Sequence, residues 1–343
     1  MHQIHTYVNN FWGYHGREGV IVMTDHFNKQ DSAKNKPLVH VKKSSSTHRF
    51  SMQAKKLMKR IYNKVIHFSG LYSFKKGFIF RKWTTALREH PSFMVIGTQK
   101  GGTTSLASYL NQNPVVAKAI RKEIHYFNAN FSLGTSWYRA HFPFVSRTHK
   151  RVCFDATPQY IAHPQVPSRI YAQYPQMKFI VLLRNPTDRA YSHYMHECRR
   201  GKDMELRTFE EALAFLYELE QEPPVQLDQI GGEIQSQYIF GHYLNYLTRG
   251  KYIDQLERWF QLFPREQFLF VQSEYFFTHT REAMMEISRF LEIPYWEATN
   301  FKTRNAGGDY VKMDPSTRQQ LAEYFKLYNE RLYQLLGTDY GWK

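Results

Sequence analysis

Phe93-Met94-Val95-Ile96 is a nearly all-apolar run that ends at Gly97, the pattern of a strand buried on both faces. Apolar runs at Arg151–Asp155, Lys178–Arg184 and Gln267–Gln272 predict three more strands. Between and after them, apolar positions recur three or four apart. This spacing predicts helices over Thr103–Gln112, Pro186–Arg199, Phe209–Glu220, Ile234–Thr248, Tyr252–Phe260, Thr280–Leu291 and Pro315–Leu336. Strands alternating with helices predict an α/β fold with a mainly parallel sheet. Ligands of such sheets sit beyond the carboxyl ends of the strands. The residues after Gly97 and after Leu183 are therefore expected to open on one crevice.

The pattern before Pro91 is different. Residues 1–51 are polar and weakly periodic, the texture of a poorly ordered extension. Residues 52–90 form a basic segment in which Leu57, Ile61, Val65 and Phe68 recur at helical spacing among Lys55, Lys56, Lys59, Arg60 and Lys64. A helix packing this apolar stripe on the domain behind it is the favoured reading. The same amphipathic helix also suits peripheral contact with an anionic membrane through residues 52–68.

Chemistry concentrates in two stretches. After the first strand, Gly97 to Gly102 carries three glycines around Lys100, and Thr103, Thr104 and Ser105 open a helix. Glycines let backbone amides approach an oxyanion, the first helical turn supplies free donors, and Lys100 adds a charge. A Walker A loop places its lysine after the glycines, whereas Lys100 precedes Gly101-Gly102. The second stretch, KFIVLLRNPTDRAYSHY, sets Arg184 at the end of a strand and Ser192 about two turns into the next helix. A guanidinium there suits a phosphate, and a plain Arg184–Asp188 salt bridge is the equally weighted structural alternative.

The chain has 343 residues, 42% hydrophobic and 16% aromatic, with a formal net charge of +16. That charge makes a polyanionic partner plausible. Its two cysteines make no disulfide framework and fit a reducing compartment. Val20–Met23 is too short for a signal-peptide core and no run reaches transmembrane length, so the expected location is cytoplasmic. Cys153 is expected to be a small buried apolar residue. His193 and His196 lack a third ligand and are expected to pack or contact an anion, with no metal required.

QKGGTTSL after a strand, with RNPTDRAYSHY some eighty residues on, resembles the two signatures of sulfotransferases that use 3'-phosphoadenosine-5'-phosphosulfate (PAPS). Arg121–Phe127 is similar to the KE-x-H-x-F segment of the heparan-sulfate type. Thr157–Tyr171 resembles the helix that follows that segment, and NFKTRNAGG resembles the loop that closes over the nucleotide. The resemblance covers residues 91–343. It implies a three-layer fold with a phosphosulfate-binding loop after the first core strand, PAPS as donor and 3'-phosphoadenosine-5'-phosphate (PAP) as product. By the same resemblance Lys100 serves the leaving oxygen with Gly101–Ser105, and Arg184 and Ser192 hold the 3'-phosphate. Phe301, Lys302, Arg304, Asn305, Ala306 and Gly307 close the nucleotide site, with Tyr238 or Phe301 against adenine. Glu123 stands in the slot of the catalytic base. His125 is the second candidate, and an extended 123–127 would point both to one side.

The heparan type carries arginine, lysine and aspartate where Thr104, Ala156 and Asn128 stand. Those residues engage an anionic sugar chain, so their absence points away from a heparan-like acceptor and toward another sugar, a glycolipid or a small natural product. The cysteine pair of the animal Golgi enzymes is also absent, which suggests a bacterial-type enzyme. A kinase or other nucleotide-dependent phosphotransferase is the alternative, and it would lack every kinase signature. A non-catalytic polyanion binder is a third class. No nucleic-acid-binding motif is present, and nucleic acid is not an expected partner.

Overall fold

In a computed structural model of the chain, the described residues are 78–146, 151–200, 207–221, 246–298, 301 and 312–342. The extension over 1–51, the predicted helix over 52–68 and the predicted helix Ile234–Thr248 down to residue 245 lie outside them.

The chain runs α1 (Phe78–Trp83), β1 (Phe93–Gly97), α2 (Thr103–Leu110), α3 (Tyr126–Ala129), α4 (Gly134–Arg139), β2 (Phe154–Ala156) and α5 (Val166–Tyr171). It continues through β3 (Lys178–Leu183), α6 (Pro186–Arg200), α7 (Phe209–Gln221), α8 (Tyr252–Phe260) and β4 (Phe268–Gln272). α9 (Ser273–Thr278), α10 (Thr280–Leu291) and α11 (Pro315–Leu336) complete it. The predicted second strand is shifted: Val152 makes only an isolated bridge to Val116, and the ladder begins at Phe154. Of the segment Thr157–Tyr171, only Val166–Tyr171 is helical, since the stretch before it turns at Tyr160 and His163.

The described strands form one parallel sheet in the order β2-β1-β3-β4. Alternation along the strands divides the core between its two faces. Met94, Ile96, Phe179, Val181 and Leu183 pack with Tyr126, Val166, Trp259 and Leu332 of α3, α5, α8 and α11. Phe93, Val95, Ile180 and Leu182 pack with Leu106, Leu110, Phe276 and Ile287 of α2, α9 and α10. Helices thus cover both faces, which makes the fold three-layered. Because both faces are covered, β1 is buried along its whole length, and this is why its sequence reads as one apolar run. A further cluster joins α6, α7 and α11 through Ala190, Leu213, Leu216, Leu321 and Phe325. Among the described residues no helix is long and apolar enough to cross a membrane.

Candidate active site

The loop after β1 is held by its neighbours. Thr98 donates from both N and Oγ1 to the Leu182 carbonyl at 2.9 Å, drawing the loop onto the end of β3. Ser273, just past β4, donates to the Gly101 carbonyl at 2.7 Å. Arg184, just past β3, donates from Nη1 to the Lys100 carbonyl at 3.1 Å, and its own carbonyl accepts from Tyr252 at 2.8 Å. Lys100 and Arg184 therefore share one end of the sheet, beyond the carboxyl ends of the neighbouring strands β1 and β3. The alternative Arg184–Asp188 bridge is not formed, and Asp188 pairs instead with Arg318 of α11.

The loop needs its glycines for close approach. A Cβ on Gly101 would sit 2.7 Å from Thr98 Oγ1 and 2.8 Å from the Leu182 carbonyl oxygen. Gly102 caps α2 with φ of 100°, in the left-handed region. The amides of Gly102, Thr103 and Thr104 have no acceptor among the described residues, and Leu106 is the first to bond back, to the Gly102 carbonyl. These donors open α2 directly after Lys100.

The surroundings of Lys100 are crowded with cations. Burial lowers the Lys100 ammonium to about 8, and Arg184, Arg199 and Arg189 lower it further against the opposing pull of Glu197. Arg189 is fully buried, donates to the Tyr246 carbonyl at 2.6 Å, and is brought down to about 10 chiefly by burial. Arg249 donates to Gln99 of the loop and is lowered to about 9 by burial and by Arg189. Sequence reasoning missed Arg189 and Arg249. Arg189, five residues after Arg184, reads as an ordinary helix-surface arginine. Ser192 is buried on α6, on the helix that Arg184 precedes.

The segment carrying Glu123 and His125 is not extended. Glu123 and His125 have φ of 58° and 57°, both left-handed, and His125 caps the short α3. The two side chains nevertheless meet, with His125 Nε2 3.6 Å from Glu123 Oε2. The backbone is fixed by the end of β2. Glu123 N donates to the Ala156 carbonyl at 3.2 Å, His125 N to Thr157 Oγ1 at 3.4 Å and Tyr126 N to Tyr160 Oη at 2.9 Å. Thr157 and Tyr160 in turn donate to the buried Asp155 carboxylate at 2.7 and 2.8 Å. Burial raises the Asp155 carboxyl despite those bonds. Lys100, Glu123 and His125 are three of the four non-glycine residues with positive φ among the described residues, the fourth being the helix cap Glu292. Backbone strain of this kind clusters at functional sites.

Lys122 links the two halves. Its Nζ donates to Thr104 Oγ1 at 2.8 Å and to Glu123 Oε1 at 2.9 Å. Burial alone would raise the Glu123 carboxyl, but His125 and Lys122 outweigh it and hold the group down at about 2. His125 Nδ1 lies 3.3 Å from Asn128 Nδ2, which itself donates to Gln159. With Nδ1 as the acceptor, the ring proton of neutral His125 sits on Nε2, toward Glu123.

Residues 90–323 match the family model described as "Sulfotransferase domain". The chain is a sulfotransferase. It is 28% identical over 303 residues to heparan sulfate glucosamine 3-O-sulfotransferase 5 of Mus musculus, covering 78% of this chain and 82% of that protein. It is also 28% identical over 320 residues to the membrane-associated sulfotransferase kil1 of Dictyostelium discoideum, across 74% of this chain and 66% of that protein's length. The crystal structure of a sulfotransferase from Alicyclobacillus acidocaldarius aligns with a TM-score of 0.59 at 26% identity, covering 73% of this chain and 97% of that one.

Other predicted residues of the sulfotransferase fall elsewhere. Phe301 lies edge-on to the Tyr109 ring, centroids 5.1 Å apart, and its carbonyl accepts from Tyr109 at 2.9 Å, near the far end of α2 from the loop. Tyr238, Lys302, Arg304, Asn305, Ala306 and Gly307 lie outside the described residues. His193 is buried, lies 3.5 Å from Glu197 and is lowered to about 3, first by burial. No cluster of three or more potential metal ligands occurs among the described residues. Cys153 is buried with its thiol pushed up to about 12, an inert environment.

Proposed function

We propose that this sulfotransferase moves a sulfuryl group from PAPS to a hydroxyl of a carbohydrate acceptor, with Lys100, Arg184 and the loop amides at the donor and Glu123 as general base. The observation that carries the reading is the Lys122 bridge, which sets an ionised carboxylate one side chain away from the donor loop. The donor's anionic groups suit the residues present. An anion would supply the acceptor that the amides of Gly102, Thr103 and Thr104 lack, and would offset the burial and the neighbouring arginines that lower Lys100.

When bound, PAPS supplies an activated sulfuryl group for in-line transfer and departs as PAP. Lys100 and the amides of α2 stabilise negative charge at the loop end of the site. Arg184 offers a planar fork to a second phosphate. Glu123 takes the acceptor proton, while His125 orients its carboxylate through Nε2. The relatives named for heparan sulfate glucosamine support a carbohydrate acceptor, and a glycolipid or an amine-bearing sugar belongs to the same class. We extend the reading to a cytoplasmic site of action, which two cysteines without a disulfide framework would suit.

The test is a thermal-shift comparison of PAP, ATP and GTP, followed by single-turnover transfer from PAPS to neutral and sulfated oligosaccharides. PAP at a hundredfold its dissociation constant is expected to add about 2.7 kcal/mol, with little from ATP or GTP. A larger shift with ATP and no transfer from PAPS would favour a phosphotransferase.

A further inference from the structure

The first described helix and the turn that follows it, residues 78–88, point arginines into the protein and several apolar side chains outward. Arg81 donates from Nε to the Ala140 carbonyl at 2.7 Å and from Nη2 to the Phe142 carbonyl at 2.9 Å. Arg88, only 1% exposed, also donates to the Phe142 carbonyl at 2.9 Å. Phe78 anchors the helix in the core, but Phe80 and Trp83 turn outward, 65% and 83% exposed, as does Leu87 of the following turn at 61%. Phe80 and Trp83, three residues apart, share one face of the helix, and Leu87 follows in a separate short turn. Val145 N donates to the Leu87 carbonyl at 2.9 Å, which brings the exposed Phe144 and Val145 alongside. The arginine bonds clamp the helix in this orientation, so the outward aromatics are not a frayed end. A helix facing only water carries the opposite arrangement. Contiguous apolar surface of this sort marks a face that is covered in use.

Charge identifies the cover. The chain reaches Phe78 directly from Met52–Gly77, which holds seven lysines and arginines and no acid, and Lys82 beside Trp83 is exposed. A second copy seated symmetrically on this face would bring two such cationic runs together. An anionic bilayer accommodates both features. Trp and Phe favour the headgroup boundary, and lysines favour the negative surface. We infer that the face formed by Phe80, Trp83, Leu87, Phe144 and Val145 docks the enzyme peripherally on an anionic lipid bilayer. This combines an apolar and a basic signal, the pairing that stable surface attachment requires.

The experiment uses the full chain with vesicles of phosphatidylcholine alone and of phosphatidylcholine mixed with phosphatidylglycerol, by co-sedimentation at low and high salt. Binding to the anionic vesicles, weakened by salt, is expected. The double variant Phe80→Ser/Trp83→Ser should weaken it at least about tenfold with the melting temperature unchanged. Absence of vesicle binding by the wild type overturns the proposal, as does equal binding by the double variant. A wild-type dimer that becomes monomeric in the variant would assign the face to a second copy. A melting temperature lowered by several degrees would show that the chain's own residues cover it. Either result overturns bilayer docking.

Discussion

Glu123 combines half-exposure, with 40% of its side chain accessible, with a carboxyl held near 2 against an ordinary value of 4.5. The depressed value means that this carboxylate favours folding above about pH 4.5 and loses that contribution as pH falls toward about 2. For catalysis, a base ionised throughout the working range puts no acid limb near 6.5, where a histidine base would put one. Glu123→Gln is expected to lower kcat roughly 10²–10⁴-fold with PAP affinity retained, measured in single turnover beside His125→Asn. If the asparagine variant alone is inactive, the roles are reversed. Lys100 shows the opposite behaviour, with an ammonium lowered from 10.5 to about 8. The folded state then binds fewer protons than the unfolded between those values, so this lysine makes stability rise with pH across that window. An anion bound beside it restores the proton. PAP binding at about pH 9, where phosphates are fully ionised, should take up close to one proton, read by calorimetry in buffers of different ionisation enthalpy. Lys100→Met should take up clearly less and should abolish turnover.

The elements position these side chains through strand ends, and two substitutions separate the donor half from the acceptor half. Gly101→Ala would drive a methyl group into Thr98 and the Leu182 carbonyl. It is expected to cost about 1–3 kcal/mol of stability and to weaken PAP binding, as urea melts and titration would show. Tyr160→Phe removes the hydroxyl that accepts from Tyr126 N and donates to Asp155. It should cost about 1–3 kcal/mol and lower kcat while leaving PAP affinity near wild type. The strand, glycine turn and helix start of the proposed donor half were legible in the sequence, because they are local features. β1 and the helices Tyr252–Phe260, Thr280–Leu291 and Pro315–Leu336 have the predicted limits, since burial on one or two faces imposes the period directly. The acceptor half was legible only as residue types. The left-handed turns at Glu123 and His125 have no local signal without glycine. They are imposed by Ala156, Thr157 and Tyr160, more than thirty residues away in the chain. Arg189 and Arg249 were opaque for a related reason: only tertiary packing tells a buried arginine from a solvated one.

Across the whole molecule, α11 joins two cores, with Leu332 and Leu336 on the sheet and Leu321 and Phe325 against α6 and α7. Phe325 is fully buried, and its ring comes within 2.6 Å of the position a Cβ would take on Gly250, next to Arg249. Phe325→Ala is expected to cost about 3–5 kcal/mol and, by loosening Arg249 from Gln99, to weaken PAP binding as well. The sheet order has a consequence for the ribosome. β1 ends at Gly97 and its neighbour β3 begins at Lys178, so one edge of an all-apolar strand stays bare while about eighty residues are translated. At roughly 5–20 residues per second this interval lasts roughly 4–16 s. The other edge waits for Phe154, and β3 in turn waits for Phe268. During that time the strand that later carries the donor loop is an unpaired apolar template, open to a neighbouring nascent chain. Soluble yield in cell-free synthesis should therefore depend on a chaperone that shields nascent apolar segments, even though the finished sheet buries this strand completely.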